Sequence, residues 1–265
     1  MGREMTIEEI RGVQVAILDK IHSFCIDNNL RYSLSGGTLL GAVRHKGYIP
    51  WDDDIDIMMP RPDYEKLLLD FCGIYKHLII QDYKTDVSYP LRWLRIYDDR
   101  TKLLSLNSEG GVFVDVFPVD GLPNETETVA YLEEYKALMR KLKRVTKRRG
   151  TRIHGNRILK DIKYFIKKLI LPSREHVISE FDALFNRYPF ETSEFAGAIV
   201  GMFGIKEHMH SSVFKSYIEL PFEGKNYMCI KQYDAYLTKH YGDYMQLPPE
   251  EKRITHHKFK VYWRE

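Results

Sequence analysis

Hydrophobic and polar positions along the chain switch repeatedly between a period near 3.6 and a period of 2, and the switches outline an α+β protein. Thr6-Ile7-Glu8-Glu9 has the form of a capping box, and Ile7, Ile10, Leu18 and Ile21 form a helical stripe, which predicts a helix ending near Asn28-Asn29. Residues 31–35 read as a strand entering the Gly36-Gly37 turn, and 38–44 as a short helix closed by Gly47 and Pro50. A strand over 54–58 is stopped by Pro60 and Pro62, and 63–71 is helical. Strands follow at 78–82, 94–97 and 112–118; the last is apolar on both faces and therefore central. From Glu125 the pattern turns helical, with helices over 133–149, 157–171 and 173–188, Ser173 capping the third. Residues 195–203 show no readable period. A hairpin over 214–221 and 225–230 turns at Glu223-Gly224, and a helix over 233–241 precedes an irregular aromatic tail.

The composition is that of a globular protein: 44% hydrophobic and 29% charged among 265 residues, enough chain for one large domain or two small ones. No apolar run reaches the roughly 18 residues of a membrane span. Cys25, Cys72 and Cys229 are odd in number and far apart, so they read as reduced, buried thiols of a cytoplasmic protein. The net charge of +3 conceals a division. Residues 140–168 carry thirteen Lys or Arg against one acid, Asp161, whereas the rest of the chain holds 27 basic and 36 acidic side chains.

The candidate chemistry lies in the acidic strand. On a strand, Asp52, Asp54 and Asp56 share one face, and like charges so placed repel unless a hard cation sits among them or the strand is a solvated edge. Val114-Asp115-Val116 sets a further carboxylate in a buried strand, which is costly unless it pairs with an arginine or binds a metal. Two carboxylates at i and i+2 with a third on a neighbouring strand suit one or two Mg²⁺ ions acting on phosphate. Ser35, Gly36, Gly37 and Thr38, at a helix N-terminus, would turn backbone N–H groups toward such a phosphate.

A Gly-Gly turn, Asp-Ile-Asp-Ile and a later Val-Asp-Val resemble the nucleotidyltransferase superfamily. More narrowly, three blocks resemble the LicD family of phosphocholine transferases and its fukutin relatives. They are Ser35 to Gly47 with Trp51-Asp52-Asp53-Asp54-Ile55-Asp56, Val114 to Pro118 with Asp120-Gly121, and Tyr241 to Met245 with Leu247-Pro248-Pro249, Lys252-Arg253 and His256-His257. The resemblance implies transfer of phosphocholine, or a similar phospho-substituent, from CDP-choline or a related CDP-linked donor to a hydroxyl of a surface glycan (teichoic acid or lipopolysaccharide) or its lipid-linked precursor. CMP would leave. It implies Asp54, Asp56 and Asp115 as catalytic residues and ligands of Mg²⁺ or Mn²⁺, with Asp115 also a candidate general base. Arg44, His45, Lys46, Lys252, Arg253, His256 and His257 are implied at the donor phosphates, with Asp52 and Asp53 in supporting or solvated roles.

The expected fold is a nucleotidyltransferase-like mixed sheet flanked by helices, with a helical insertion and a C-terminal segment closing the site. Its divisions are a catalytic core over 1–124, a basic helical region over 125–190 and a C-terminal region over 191–265. Lys160, Lys163, Lys167 and Lys168 alternate with Ile162, Phe165, Ile166 and Leu169, so 140–168 reads as an interfacial helix against anionic lipid at the inner membrane face, or as a solvated basic insertion. A true nucleotidyltransferase is the alternative enzyme. A nucleic-acid-binding module would account for the basic segment and leave the carboxylates without a use, so no nucleic acid is expected. The intact trio argues against an inactive relative.

Overall fold

The computed structural model describes residues 2–87, 89–104, 110–147, 172–201, 203–254 and 260–265. Helix α1 (Ile7–Asp27) begins as its sequence dictates: the Thr6 hydroxyl accepts from Glu9 N–H at 3.3 Å while Glu9 accepts from Thr6 N–H at 2.9 Å. Ile17, Leu18 and Ile21 of its apolar stripe are fully buried in the main core.

The central sheet runs in the order β1 (Ser33–Leu34), β2 (Asp56–Pro60), β6 (Phe113–Leu122), β4 (Leu94–Asp98), β3 (Leu78–Gln81). The β2–β6 pair is parallel and the other pairs are antiparallel, so the sheet is mixed, in an α+β fold as expected. The far half of β6 carries β7 (Phe195–Gly197), which pairs β8 (Met209–His210). Helix α2 (Gly36–His45) joins β1 to β2, and α3 (Arg61–Asp70) follows β2 at once, with Pro62 in its first turn, where a missing N–H costs nothing.

A second apolar cluster joins α4 (Glu125–Lys147) to α5 (Arg174–Phe185), through Tyr131, Tyr135 and Leu142 on one side and Val177 and Phe181 on the other. β9 (Tyr217–Phe222) and β10 (Lys225–Ile230) make the expected hairpin, whose Glu223 and Gly224 both take positive φ. Helix α6 (Tyr233–Tyr241) occupies its expected span.

Four features depart from the sequence reading. The acidic strand begins at Asp56 rather than Asp54: the Ile55 carbonyl already accepts from Asp115 N–H of β6 at 3.0 Å, but the chain ahead of it is held by side chains of α1. Arg11 donates to the Asp52 carbonyl at 2.5 Å and Gln14 to the Asp53 carbonyl at 2.9 Å. Helix α4 starts at Glu125, eight residues early, where Asn124 Oδ1 accepts from Glu127 N–H. A ribbon of β5 (Thr101–Leu104) and β11 (Lys260–Trp263) closes chain-distant segments that carry no pattern of their own. Cys72 is exposed, whereas Cys25 and Cys229 are buried as expected. The helix expected over 157–171 lies outside the described residues.

Candidate active site

The parallel β2–β6 register builds the site. Asp56 and Asp115 stand opposite one another on adjacent strands, and β4 places Arg95 opposite Asp115 from the other side. The Arg95 guanidinium grips Asp115 bidentately at 2.7 and 2.8 Å, its central carbon lying 3.5 Å from the Phe113 ring centroid. Of the two partners the sequence left open for Asp115, the arginine is therefore present. The carboxylate oxygens still hold further lone pairs. Arg95 escaped the sequence reading, although a lone basic residue between Leu94 and Ile96 in an apolar strand was a signal.

Asp56 is partly exposed, as Asp52 and Asp54 are, and crowded by other acids. Burial pushes its carboxyl well above the ordinary range, and the charges of Asp54, Asp115 and Asp52 push it further, with Arg95 opposing them. Its backbone is fixed independently of its side chain: Asp56 N–H donates to the Thr38 hydroxyl at 2.9 Å, and its carbonyl accepts from Ser35 N–H. Thr38 thus fastens α2 to β2 through its side chain. Ser35 takes the N-cap position of α2 with no side-chain cap bond, its hydroxyl 3.5 Å from that of Tyr236.

Among the described residues, the carboxylates whose oxygens all lie within 4.8 Å of one another are Asp52, Asp53 and Asp54; the trio of Asp54, Asp56 and Asp115 is not drawn that close. Asp53 is buried, which leaves the supporting one of its two expected roles, while Asp52 and Asp54 are partly exposed. An all-oxygen carboxylate set suits a hard divalent cation, and the mutual repulsion that raises Asp56 is what such a cation would relieve.

The glycine turn is packed against these acids. Gly36 has φ +50, and a Cβ there would meet the Tyr241 hydroxyl at 3.7 Å and Asp56 Oδ2 at 3.8 Å. A Cβ on Gly37 would lie 2.7 Å from Asp52 Oδ2, closer than real contacts allow. Gly37→Ala is therefore expected to swing Asp52 aside, lowering turnover roughly tenfold while shifting the melting temperature little, because a carboxylate is the part that yields. Steady-state kinetics beside a thermal melt check this.

Gly37, Leu40 and Arg44, on one face of α2, form the floor of a cavity of about 620 Å³. Trp51 and Asp52 form one wall, and the segment from Tyr241 to Arg253 arches over it. Arg44 ties that arch down, donating to the Tyr244 carbonyl at 2.7 Å, and Arg253 donates to the Pro248 carbonyl at 2.8 Å while its guanidinium carbon lies 5.7 Å from the Trp51 ring centroid. Arg44, Lys252 and Arg253 thus meet at one cavity from positions some 200 residues apart.

The other residues implied at the donor sort differently. Lys46 is exposed in the left-handed C-cap of α2, away from the cavity. His45 accepts from Arg44 and stacks edge-on to Trp51; burial and the charge of Arg44 push its imidazole down, favouring the neutral form. His256 and His257 lie outside the described residues. Tyr241 is an addition: burial and the charges of Asp56, Asp52 and Asp54 push its hydroxyl upward, so it remains a neutral donor beside the acids.

Residues 29–148 match the family model described as LicD/FKTN/FKRP, nucleotidyltransferase domain. Over 271 aligned positions the chain is 31% identical to the lipopolysaccharide cholinephosphotransferase LicD of Haemophilus influenzae, covering 98% of this chain and 99% of that one. The chain belongs to the LicD family. Uncharacterized proteins of Rickettsia prowazekii and Rickettsia typhi are 47% identical to it over 47 residues, 18% of this chain and 18% and 15% of theirs. The LicD family model takes in α2, β2 and β6 with their acids, whereas the arch from Tyr241 to Arg253 lies beyond it and is covered by the end-to-end alignment with the Haemophilus protein.

Proposed function

We propose that this LicD-family chain is a divalent-cation-dependent transferase. It moves phosphocholine, or a similar phospho-substituent, from a CDP-linked donor to a hydroxyl of a cell-surface glycan or its lipid-linked precursor, and CMP leaves. The observation that carries this reading is the meeting of Asp52, Gly37 and three cationic side chains at one cavity beside Asp56, in a chain aligned end to end with a cholinephosphotransferase. A cavity of about 620 Å³ is of the size that takes a small cofactor or nucleotide.

Asp54, Asp56 and Asp115 would hold Mg²⁺ or Mn²⁺, whose charge polarises the transferred phosphoryl group and offsets charge on the departing phosphate. The chain's own groups do the rest. Arg44, Lys252 and Arg253 neutralise the donor's phosphates, and the first N–H groups of α2 add donors and a favourable dipole. Tyr241 and Tyr244 supply aromatic surface for a quaternary ammonium, the Trp51 face already receiving Arg253. In the transfer the acceptor oxygen bonds to phosphorus, the bond from phosphorus to the CMP oxygen breaks, and the acceptor proton passes to a carboxylate, Asp115 being the candidate.

CMP release from a panel of CDP-choline, CDP-ethanolamine, CDP-ribitol and CDP-glycerol tests the reading. One donor is expected to stand out, with turnover lost in EDTA and restored by Mg²⁺ or Mn²⁺; EDTA-resistant turnover counts against the metal.

The raised Asp56 carboxyl fixes a pH dependence. A carboxyl that binds its proton more tightly folded than unfolded stabilises the metal-free fold at acid pH, and that contribution is lost as pH rises from the ordinary carboxylate range through the raised value. Metal competes with the same proton. The melting-temperature increase produced by saturating Mg²⁺ is therefore expected to grow from pH 5 to pH 8, and a shift that is flat or falls with pH would contradict it.

The basic stretch 140–168 would rest against anionic lipid at the inner membrane face; α4 describes it to Lys147, and 148–168 lie outside the described residues. No helix among the described residues is long and apolar enough to cross a membrane.

A further inference from the structure

A second cavity, of about 370 Å³, opens between the segment leading into β4, helix α4 and the start of α5. Its walls combine two chemistries. Val87, Met139 and Leu142 are apolar, and Arg92, Arg140, Lys143 and Arg174 are cationic, with no acid among the described lining residues.

Arg92 is the unusual member. It is 6% exposed and makes no ion pair among the described residues. Its guanidinium donates to the Pro90 and Leu91 carbonyls at 3.0 Å and to Met139 Sδ at 3.1 Å, and lies 4.8 Å from the Tyr83 ring centroid. Dipoles and ring faces offset a buried cation only in part, and burial pulls Arg92 downward. Two more polar groups of the same wall are buried without a hydrogen-bond partner among the described residues: the Tyr89 hydroxyl and Arg174 Nε. Arg92 has no ion pair among the described residues, although the charge of buried Asp82 favours it from nearby, and with two orphaned donors around one half-apolar space it describes a site suited to an anion.

We infer that this cavity binds a phosphate ester carried on an apolar body. Arg140 and Lys143, exposed at its rim, attract the phosphate; Arg92, Arg174 and Tyr89 receive it, and Met139 and Leu142 cover the apolar part. Arginine forks suit phosphate oxygens. The cavity lies on the approach to β4, the strand whose Arg95 pairs with Asp115. Arg92 stands three residues before Arg95 on the approach to β4, and after burial the charge of Asp115 is the next influence raising the Tyr89 hydroxyl. On the transferase reading proposed above, and resting on it, the cavity is a subsite for the acceptor, and it selects acceptors that carry a phosphate. The phosphate could belong to a glycan or to a lipid headgroup.

Isothermal titration with octyl phosphate tests the site without reference to turnover, so its outcome is separable from that of the CMP-release assay. Octyl phosphate is expected to bind at least tenfold tighter than octanol. The rim double variant Arg140→Ala/Lys143→Ala should lose at least tenfold of that affinity, and Arg140→Lys/Lys143→Arg should recover most of it. CDP-choline binding is expected to be the same in all three proteins. Displacement of octyl phosphate by glucose 6-phosphate assigns the site to a phosphorylated glycan, and displacement by phosphatidic acid vesicles alone assigns it to a lipid phosphate. Equal binding of octyl phosphate and octanol, or an alanine double variant that binds octyl phosphate as tightly as the parent, would overturn the inference.

Discussion

Replacing Asp56 by Asn is expected to lower CMP release by about a thousandfold or more while the metal-free protein melts at the same temperature or higher. The two effects have one origin. Asp56 is pushed up by burial and by the charges of Asp54, Asp115 and Asp52, so its ionised form costs the empty fold free energy, and an isosteric amide removes that cost. The backbone bonds that hold the position, from Asp56 N–H to Thr38 and from Ser35 N–H to the Asp56 carbonyl, do not involve the carboxylate and survive the change. What is lost is the anionic ligand. The variant should therefore also lose most of the Mg²⁺-induced melting shift, which separates a missing ligand from a damaged fold. A fall in stability together with activity would place Asp56 among structural residues instead.

Asp120→Asn is expected to act in the opposite sense, on stability first. Asp120 is fully buried, and Arg61 meets it bidentately at 2.6 and 2.8 Å, with Glu65 as a third contact at 3.1 Å. The pair lies one residue beyond the last rung of the parallel β2–β6 ladder, Pro60 opposite Val119, and Asp56 and Asp115 stand five residues earlier on the same two segments. It thus clamps the register that sets Asp56 and Asp115 side by side. An amide leaves the Arg61 guanidinium buried with half its compensation gone, at a cost of about 3–5 kcal/mol. For a chain of this size that corresponds to a fall in melting temperature on the order of 10 °C. The double variant Arg61→Met/Asp120→Leu should recover much of it, since no charge is then stranded. Calorimetry on the two variants decides, and an unchanged melting temperature for Asp120→Asn would refute the clamp.

Local signals in the sequence were read correctly wherever the chain satisfies itself nearby. The capping box at Thr6 and Glu9, the Glu223-Gly224 hairpin and the Ser173 cap all close within a few residues, so composition and spacing suffice. The sequence failed where a segment's partner is remote or unexpected in kind. Asp54 and Ile55 read as the start of a strand because carboxylates alternate there, yet the ladder begins at Asp56, and Arg11 and Gln14 of α1 hold the backbone just ahead, at Asp52 and Asp53. Thr101–Leu104 became a strand only because the C-terminal Lys260–Trp263 lies against it.

The candidate site divides along the same line. Asp56 and Asp115 follow from period-2 patterning, and the ladder puts them in register. Arg95 was missed, and Tyr241 entered only as part of a family block without a role beside the acids, since no spacing rule links either to them. Lys252 and Arg253 were reached only through the family resemblance, because nothing in the intervening 200 residues brings them to α2. Asp120 was recognised as part of a motif, and its ion pair with Arg61 supplies a physical reason for its presence.

The central claim is that these carboxylates serve transfer of the choline-bearing phosphate and not of the nucleotide. CDP-choline labelled with ¹⁴C in choline and ³H in cytidine measures this directly. With Mg²⁺ and a phosphorylated glycan acceptor, the account predicts that ¹⁴C moves to the acceptor while all ³H is recovered as CMP. Recovery of ³H on the acceptor would contradict it and make the protein a nucleotidyltransferase.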